Sequence, residues 1–190
     1  MSQLIGICGY KGHGKSTVAR LLCEYHNFTE LSFASILKTC VAEIFGWDRA
    51  RLDSDLPEDR LWKETPDAWW CERLSIDHLT PRFALQNIGT EVMRTYFHPD
   101  IWVAALERRL MKLLSQGVNV VISDVRLPNE RQLIEKLGGH MMRMNRDAVP
   151  MQDAHVTERL FLEFQNVFDL YNNDAVNNLH DELTRFFNSK

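Results

Sequence analysis

The chain has 190 residues, 45% of them apolar and 25% charged, the balance of one compact globular domain and not of a disordered or collagen-like chain. Lys and Arg total 22 against 26 Asp and Glu, so the net charge is −4, the wrong sign for a protein that coats nucleic acid, although a local anion site needs only a few cations. No apolar run approaches the ~18 residues that cross a membrane, and the start, Met1-Ser2-Gln3-Leu4-Ile5-Gly6, lacks the basic and apolar segments of a signal peptide.

Leu4-Ile5-Gly6-Ile7-Cys8 is a short apolar run and predicts a buried parallel strand. Residues 15–26 have helical spacing, with Val18, Leu21 and Leu22 on one side. A second strand is expected from Phe28 to Phe33, and a helix over 35–45 that stops at Gly46. Between Asp48 and Arg73 there are eight acidic and five basic residues, with Trp62, Trp69 and Trp70 among them. This stretch, 47–80, reads as a partly helical insertion on the acceptor side of the fold, or as a solvated connector; its tryptophans argue for packing.

Thr80-Pro81 is a cap followed by a first-turn proline, and the helix it starts is expected to reach Tyr96. Another helix runs from Pro99-Asp100 to Leu114. Val118 to Ser123 is an interior strand, 129–137 a short helix closed by Gly138-Gly139, and His140 to Met144 a further strand. A polar loop at 145–156 has the size of a lid. A helix near 156–165, a strand near 167–172 and a helix near 176–187 complete one domain over 1–190. Strands alternating with helices imply a parallel sheet covered on both faces. Cys8, Cys23, Cys40 and Cys71 form no C-x-x-C pair and read as reduced thiols of a cytosolic protein, and the seven histidines show no metal-ligand spacing.

Gly9-Tyr10-Lys11-Gly12-His13-Gly14-Lys15-Ser16 fits G-x-x-x-x-G-K-S/T, the phosphate loop. Its glycines let backbone N–H groups turn inward around a phosphate, and the helix that follows presents its positive N-terminus to the same anion. Lys15 then reaches the β- and γ-phosphates, and the Ser16 hydroxyl ligates Mg²⁺. Asp124 and Arg126 follow the interior strand, on the edge of the sheet where ligands bind, and a carboxylate there organises Mg²⁺ or its waters. The alternative for both is a surface ion pair at a strand end. A GTPase would need an N-K-x-D segment, which is absent. Many ATPases place a glutamate after the metal aspartate, where this chain has Val125. A short chain with an insertion and a lid-like loop favours a small-molecule kinase.

Arg82, Gln86 and Met93 lie near one stripe of the 81–95 helix, beside an apolar stripe of Leu85, Ile88 and Val92. Gly89 permits close approach there. Arginine offers a planar fork for phosphate and glutamine pairs with a base edge; a solvated helix face fits the same pattern. Trp102 suits either a base stack or the core.

Thr80-Pro81-Arg82, Leu85-Gln86-Asn87-Ile88-Gly89-Thr90-Glu91, Asp100-Ile101-Trp102-Val103, Ser123-Asp124-Val125-Arg126-Leu127-Pro128-Asn129-Glu130 and His155-Val156-Thr157-Glu158 follow one another. In this order they resemble the deoxynucleoside monophosphate kinases of tailed bacteriophages. The resemblance implies a three-layer α/β P-loop kinase fold with a five-stranded parallel sheet of order 2-3-1-4-5. It implies transfer of the ATP γ-phosphoryl group to a deoxynucleoside monophosphate (dNMP), with no nucleic-acid or membrane partner, by a homodimer in an infected cell's cytoplasm. The residues then divide as follows. Gly12, His13, Gly14, Lys15, Ser16, Thr17, Asn173 and Asp174 hold ATP, with Ser16 and Asp124 on Mg²⁺. Lys11, Leu37, Lys38, Arg82, Gln86, Gly89, Thr90, Trp102, Asp124, Arg126 and Glu130 bind the acceptor. Lys15, Asp124, Arg126 and Arg146 carry the chemistry, Arg146 standing where the lid begins. Asn172-Asn173-Asp174-Ala175 resembles an adenine-side turn in which Ala175 replaces a glycine. Another small-molecule P-loop kinase, such as a dephospho-coenzyme A kinase, or a non-catalytic nucleotide-binding module, are the alternatives.

Overall fold

The computed structural model describes residues 2–147, 160–173 and 176–188. Most of the lid-like loop at 145–156, together with His155-Val156-Thr157-Glu158, Asp174 and Ala175, lies outside the described residues. Contacts divide the chain into two compact units, one running to Phe33 and resuming at Leu106, the other spanning Ala34–Ala105. The second unit is therefore wider than the insertion read at 47–80.

The first unit holds a five-stranded sheet in the order β2-β3-β1-β4-β5, as the family resemblance implied. Its strands are β1 (Leu4–Cys8), β2 (Phe28–Leu31), β3 (Asn119–Ile122), β4 (His140–Asn145) and β5 (Val167–Tyr171). Every pairing is parallel. β1 is central and fully buried, which is why it reads as an unbroken apolar run with no alternation. Register follows the pleat: Ile5 opposes Val121, Ile7 opposes Met142, and Met144 opposes Leu170. These side chains form one core with Val18 and Leu22 of α1 (Lys15–His26) and Leu179, Leu183 and Phe186 of α9 (Val176–Asn188). On the opposite face Gly6 and Met141 meet Ile134 of α8 (Pro128–Lys136).

β2 ends at Leu31, two residues before the expected Phe33. The cause is Asp124, whose carboxylate accepts from Ser32 Oγ and Phe33 N, each at 2.9 Å, and so starts α2 (Phe33–Phe45) early. Instead of the helix expected near 156–165, the described part forms one 3₁₀ turn, Leu160–Glu163.

The second unit carries short helices α3 (Arg49–Asp53), α4 (Pro57–Glu64) and α5 (Ala68–Leu74). They surround a core of Val41, Ala42, Trp47, Leu52, Leu79 and Ala84. Trp62 and Trp70 pack against it. Trp47 Nε1 donates to Asp67 Oδ2 at 2.8 Å and Trp70 Nε1 to Phe45 O at 3.0 Å. The solvated-connector reading of 47–80 fails on these contacts.

The continuous α-helix expected from Pro81 to Tyr96 does not form. α6 covers Pro81–Gln86, and Asn87–Phe97 is a π-helix. Its wider turns place donors five residues on: His98 N donates to Met93 O at 2.9 Å and Thr95 Oγ1 to Thr90 O at 3.2 Å. Stripes drawn at α-helical spacing lose register beyond Gln86, so Val92, assigned to the apolar stripe, is 45% exposed. α7 (Ile101–Ser115) follows.

Candidate active site

The phosphate loop joins β1 to α1, and its shape depends on glycine at both ends. Gly9 has φ +141°, and a Cβ there would sit 2.8 Å from Met144 O. Gly14 is the N-cap of α1 with φ +99°, and a Cβ there would collide with Asn172 Nδ2. Between them His13 is buried, its Nδ1 3.0 Å from Met144 O, and its ring meets Tyr10 edge-on. Tyr10 in turn packs edge-on against Phe161. The loop is thus pinned to β4 from inside.

Lys15 curls over this loop, its Nζ donating to Gly9 O and Tyr10 O, both at 2.8 Å. A small open cleft beside it is lined by Gly9, Lys11, Lys15, Arg126 and Phe161. Two lysines and an arginine from different parts of the chain therefore converge on one surface with inward-turned loop backbone, which is the chemistry of a polyphosphate site. Ser16 is exposed in the first turn of α1, next to Thr17.

Arg146 reaches the same loop from the end of β4, with Nη1 3.4 Å from Gly12 O. Asn172 Nδ2 donates to His13 O at 3.1 Å, and Asn172 N to Asn145 O at 2.9 Å. Asn173 exchanges hydrogen bonds with Asp147, accepting from its N at 2.9 Å and donating to its Oδ2 at 2.6 Å. Asn173 is where the adenine-side turn was expected; Asn172, its neighbour, is a contact that spacing did not single out.

Glu130, to which the resemblance gave an acceptor contact, caps a helix. It is 3% exposed, and its Oε2 accepts from Arg126 N at 2.8 Å and Leu127 N at 3.1 Å. The carboxylate caps α8 and fixes the turn from which Arg126 projects. Cys8, at the strand end beneath the loop, is fully buried; burial pushes its thiol up to about 12, against the opposing pull of Arg143 and Lys15.

In the second unit Lys38 donates to Asp53 Oδ1 at 2.8 Å, and Arg49 pairs with the same carboxylate. Burial alone would raise the Asp53 pKa, but the hydrogen bonds and charges of Lys38 and Arg49 outweigh it and hold the carboxyl below its ordinary value. Arg82 Nε donates to Glu64 Oε1 at 3.0 Å. Gln86 and Thr90 are exposed. Gly89 is buried against Leu37, and its carbonyl accepts from Trp102 Nε1 at 3.0 Å. Trp102 is only 5% exposed, so its indole packs within this unit and braces the first turn of the π-helix.

The family model for deoxynucleotide monophosphate kinase matches residues 71–183. A putative deoxynucleotide monophosphate kinase of Acanthamoeba polyphaga mimivirus is 32% identical over 193 residues, covering 95% of this chain and 93% of that protein. A deoxynucleoside-5'-monophosphate kinase of Escherichia phage T5 is 26% identical over 184 residues, covering 72% of this chain and 73% of that protein. Among solved structures, a dephospho-CoA kinase from Campylobacter jejuni superposes with a TM-score of 0.52 at 12% identity, covering 99% of this chain and 96% of that one. At that identity the likeness extends to the fold alone.

Proposed function

This chain belongs to the deoxynucleotide monophosphate kinase family, and on that premise we propose how its residues move the γ-phosphoryl group of ATP to a deoxynucleoside monophosphate. The observation that carries the assignment of roles is the convergence of Lys11, Lys15 and Arg126 on one cleft with the phosphate loop.

The acceptor needs no strong base. A nucleoside monophosphate has a second pKa of ~6 and is largely a dianion near neutrality. Its attacking oxygen is already charged, so the protein's task is to align two anions, offset their repulsion and exclude water. The loop amides and the N-terminus of α1 hold the β-phosphate, with Gly12, His13, Gly14, Ser16 and Thr17 forming the cradle. Lys15 exchanges its two carbonyl acceptors for phosphoryl oxygens and follows the charge as it moves. Arg126, its turn fixed by Glu130, offers a fork to the phosphoryl group in transfer, and Lys11 meets the acceptor phosphate. Arg146 bridges phosphates from the far side of the loop, and Asn173, with Asp174, borders the adenine.

On the acceptor's side, Lys38 and Arg82 bind the monophosphate. Gln86 and Thr90 meet the nucleoside, against a wall formed by Leu37, Gly89 and the Trp102 that braces it. The donor set also fits magnesium. Mg²⁺ takes few protein ligands besides phosphate oxygens and water, and Ser16 and Asp124 supply one hydroxyl and one carboxylate. The Asp124 carboxylate also accepts from Ser32 Oγ and Phe33 N, which holds it at the start of α2. When bound, the ion neutralises charge between the β- and γ-phosphates. In this reading 145–156 has the role of a lid and 47–80 serves the acceptor, within one kinase domain over 1–190. The acidic net charge fits free nucleotides, not nucleic acid, as partners, and the family resemblance supports a homodimer in the host cytoplasm.

The test is a coupled assay of ADP release with each dNMP in turn. At least one dNMP should give turnover far above the ATP-only rate. Release that no dNMP stimulates would refute the assignment.

A further inference from the structure

The cleft beside Lys15 has an apolar wall. Lys11, Lys15 and Arg126 border it as cations, and Phe161 faces them as a ring. Phe161 is 2% exposed, so it meets the cleft as packed surface and not as a projecting side chain. It stands on the 3₁₀ turn Leu160–Glu163, a form that aligns residues three apart. Phe161 and Phe164 are accordingly both buried, and Phe164 N donates to Phe161 O at 3.2 Å.

A single turn satisfies few of its own carbonyls, and two arginines take the rest. Arg143 of β4 donates from Nη2 to Phe164 O at 3.0 Å and from Nη1 to Leu162 O at 3.5 Å, while its Nε lies 3.2 Å from Asp169 Oδ1 of β5. Arg131 of α8 donates from Nη2 to Gln165 O at 2.8 Å, and its guanidinium carbon stands 5.1 Å from the centre of the Phe164 ring. Planar guanidinium forks fix direction as well as distance. The turn is thus tied to the sheet and to α8, and it sets Phe161 edge-on against Tyr10 of the phosphate loop, ring centres 4.9 Å apart.

We propose that Phe161 is a positioning residue for phosphoryl transfer, its ring holding Tyr10 in the phosphate loop and barring water from the cleft that the γ-phosphoryl group crosses. The proposal rests on the kinase reading above and assigns a residue to the exclusion of water which that reading requires. Cations attract any oxygen nucleophile, water's as well as the acceptor's. An ordered water needs ~2–4 polar partners, and an apolar wall withholds one. A drier cleft also strengthens the pull of the cations on phosphate. Where water enters, its oxygen bonds the γ-phosphorus in the acceptor's place. The bond from that phosphorus to the bridging oxygen breaks, ADP leaves as before, and inorganic phosphate and a proton form in place of dNDP. A ring that merely fills the core leaves this partition untouched.

Free phosphate and dNDP are measured together, with ATP and the best dNMP both saturating. Wild type should form dNDP with little free phosphate. In Phe161→Ala the phosphate released per dNDP should rise about 3–10-fold or more, while the kcat for dNDP falls. With ATP alone, hydrolysis by the variant should likewise exceed that of wild type. A folded Ala variant that keeps the wild-type ratio of phosphate to dNDP would overturn the proposal, whatever its melting temperature. Should the Ala variant fail to fold, Phe161→Leu keeps an apolar side chain without the ring, and the same ratio should rise to a lesser degree. An unchanged ratio in the Leu variant would overturn the proposal as well. Wild-type protein that forms no dNDP from any dNMP would instead bring down the kinase reading on which it rests.

Discussion

Gly14→Ala strikes two features at once. Gly14 caps α1 with φ 99° and ψ 18°, a left-handed conformation that costs an L-residue ~1–2 kcal/mol. Its new Cβ would also collide with Asn172 Nδ2. That amide donates to His13 O at 3.1 Å, and displacing it forfeits a hydrogen bond worth ~0.5–1.5 kcal/mol. The two costs add to roughly 1.5–3.5 kcal/mol, or about 3–14 °C in Tm for a chain of this size. Function should suffer selectively. In the proposed assignment Asn172 precedes Asn173 in the adenine-side turn, and the loop itself cradles the donor's phosphates. The KM for ATP should therefore rise about 3–10-fold or more, and that for dNMP much less. Thermal melts by circular dichroism, with initial rates as each substrate is varied in turn, measure both effects. A variant melting within about 1 °C of wild type with an unchanged KM for ATP would refute the geometry of the loop and its contact with Asn172.

Asp53→Asn tests the ion pairs of the second unit. The folded-state pKa of Asp53 lies below its unfolded value, so the pairs contribute fully above the unfolded value of ~3.9 and are lost as pH falls through the folded one. The Asn variant should lose stability near neutrality and show a shallower decline on acidification than wild type; an unchanged acid profile would show that Lys38 and Arg49 do not hold this carboxylate. Cys8, its thiol raised to about 12, should resist alkylation at about pH 8 in native protein, while exposed Cys40 reacts. Peptide mass spectrometry before and after denaturation reads this out, and equal labelling of the two would contradict the burial of β1.

Local chemistry made much of this molecule legible in its sequence. β1 and α1 lie at the residues that apolar runs and helical spacing indicate, because an interior parallel strand and an amphipathic helix each impose a period on the chain. The phosphate loop was equally readable, since its glycines answer to backbone geometry within eight residues. What escaped was tertiary. The π-helix receives an indole N–H from α7 at its Gly89 carbonyl, a contact between segments with no periodic signature. Glu130 sits in a motif shared with Arg126, and spacing cannot distinguish a carboxylate that meets ligand from one that caps the turn behind it. Lys63 is buried by the packing of α4 against α3 and α6, which no local pattern in the sequence signals. Trp62 and Trp70 did announce that the insertion packs, but Trp69 is exposed, and Trp47, in the core they pack against, was not singled out.

The position of β1 at the centre of the sheet bears on the order of events at the ribosome. Among the described residues β1 pairs only with β3 and β4, so Leu4 meets Val120 and Ile5 meets both Val121 and His140. β2 likewise pairs only with β3. Two strands must therefore leave the exit tunnel and wait for a partner strand, the uninterrupted Leu4–Cys8 run for 110 further residues and β2 for 87. In that interval the segment around Trp47, Leu52 and Leu79 already has its whole core synthesised. Assembly of the phosphate loop thus comes late in translation, through contacts of long sequence separation that are slow to form. A chain cut short anywhere before β3 exposes an adhesive apolar strand without acquiring any nucleotide site.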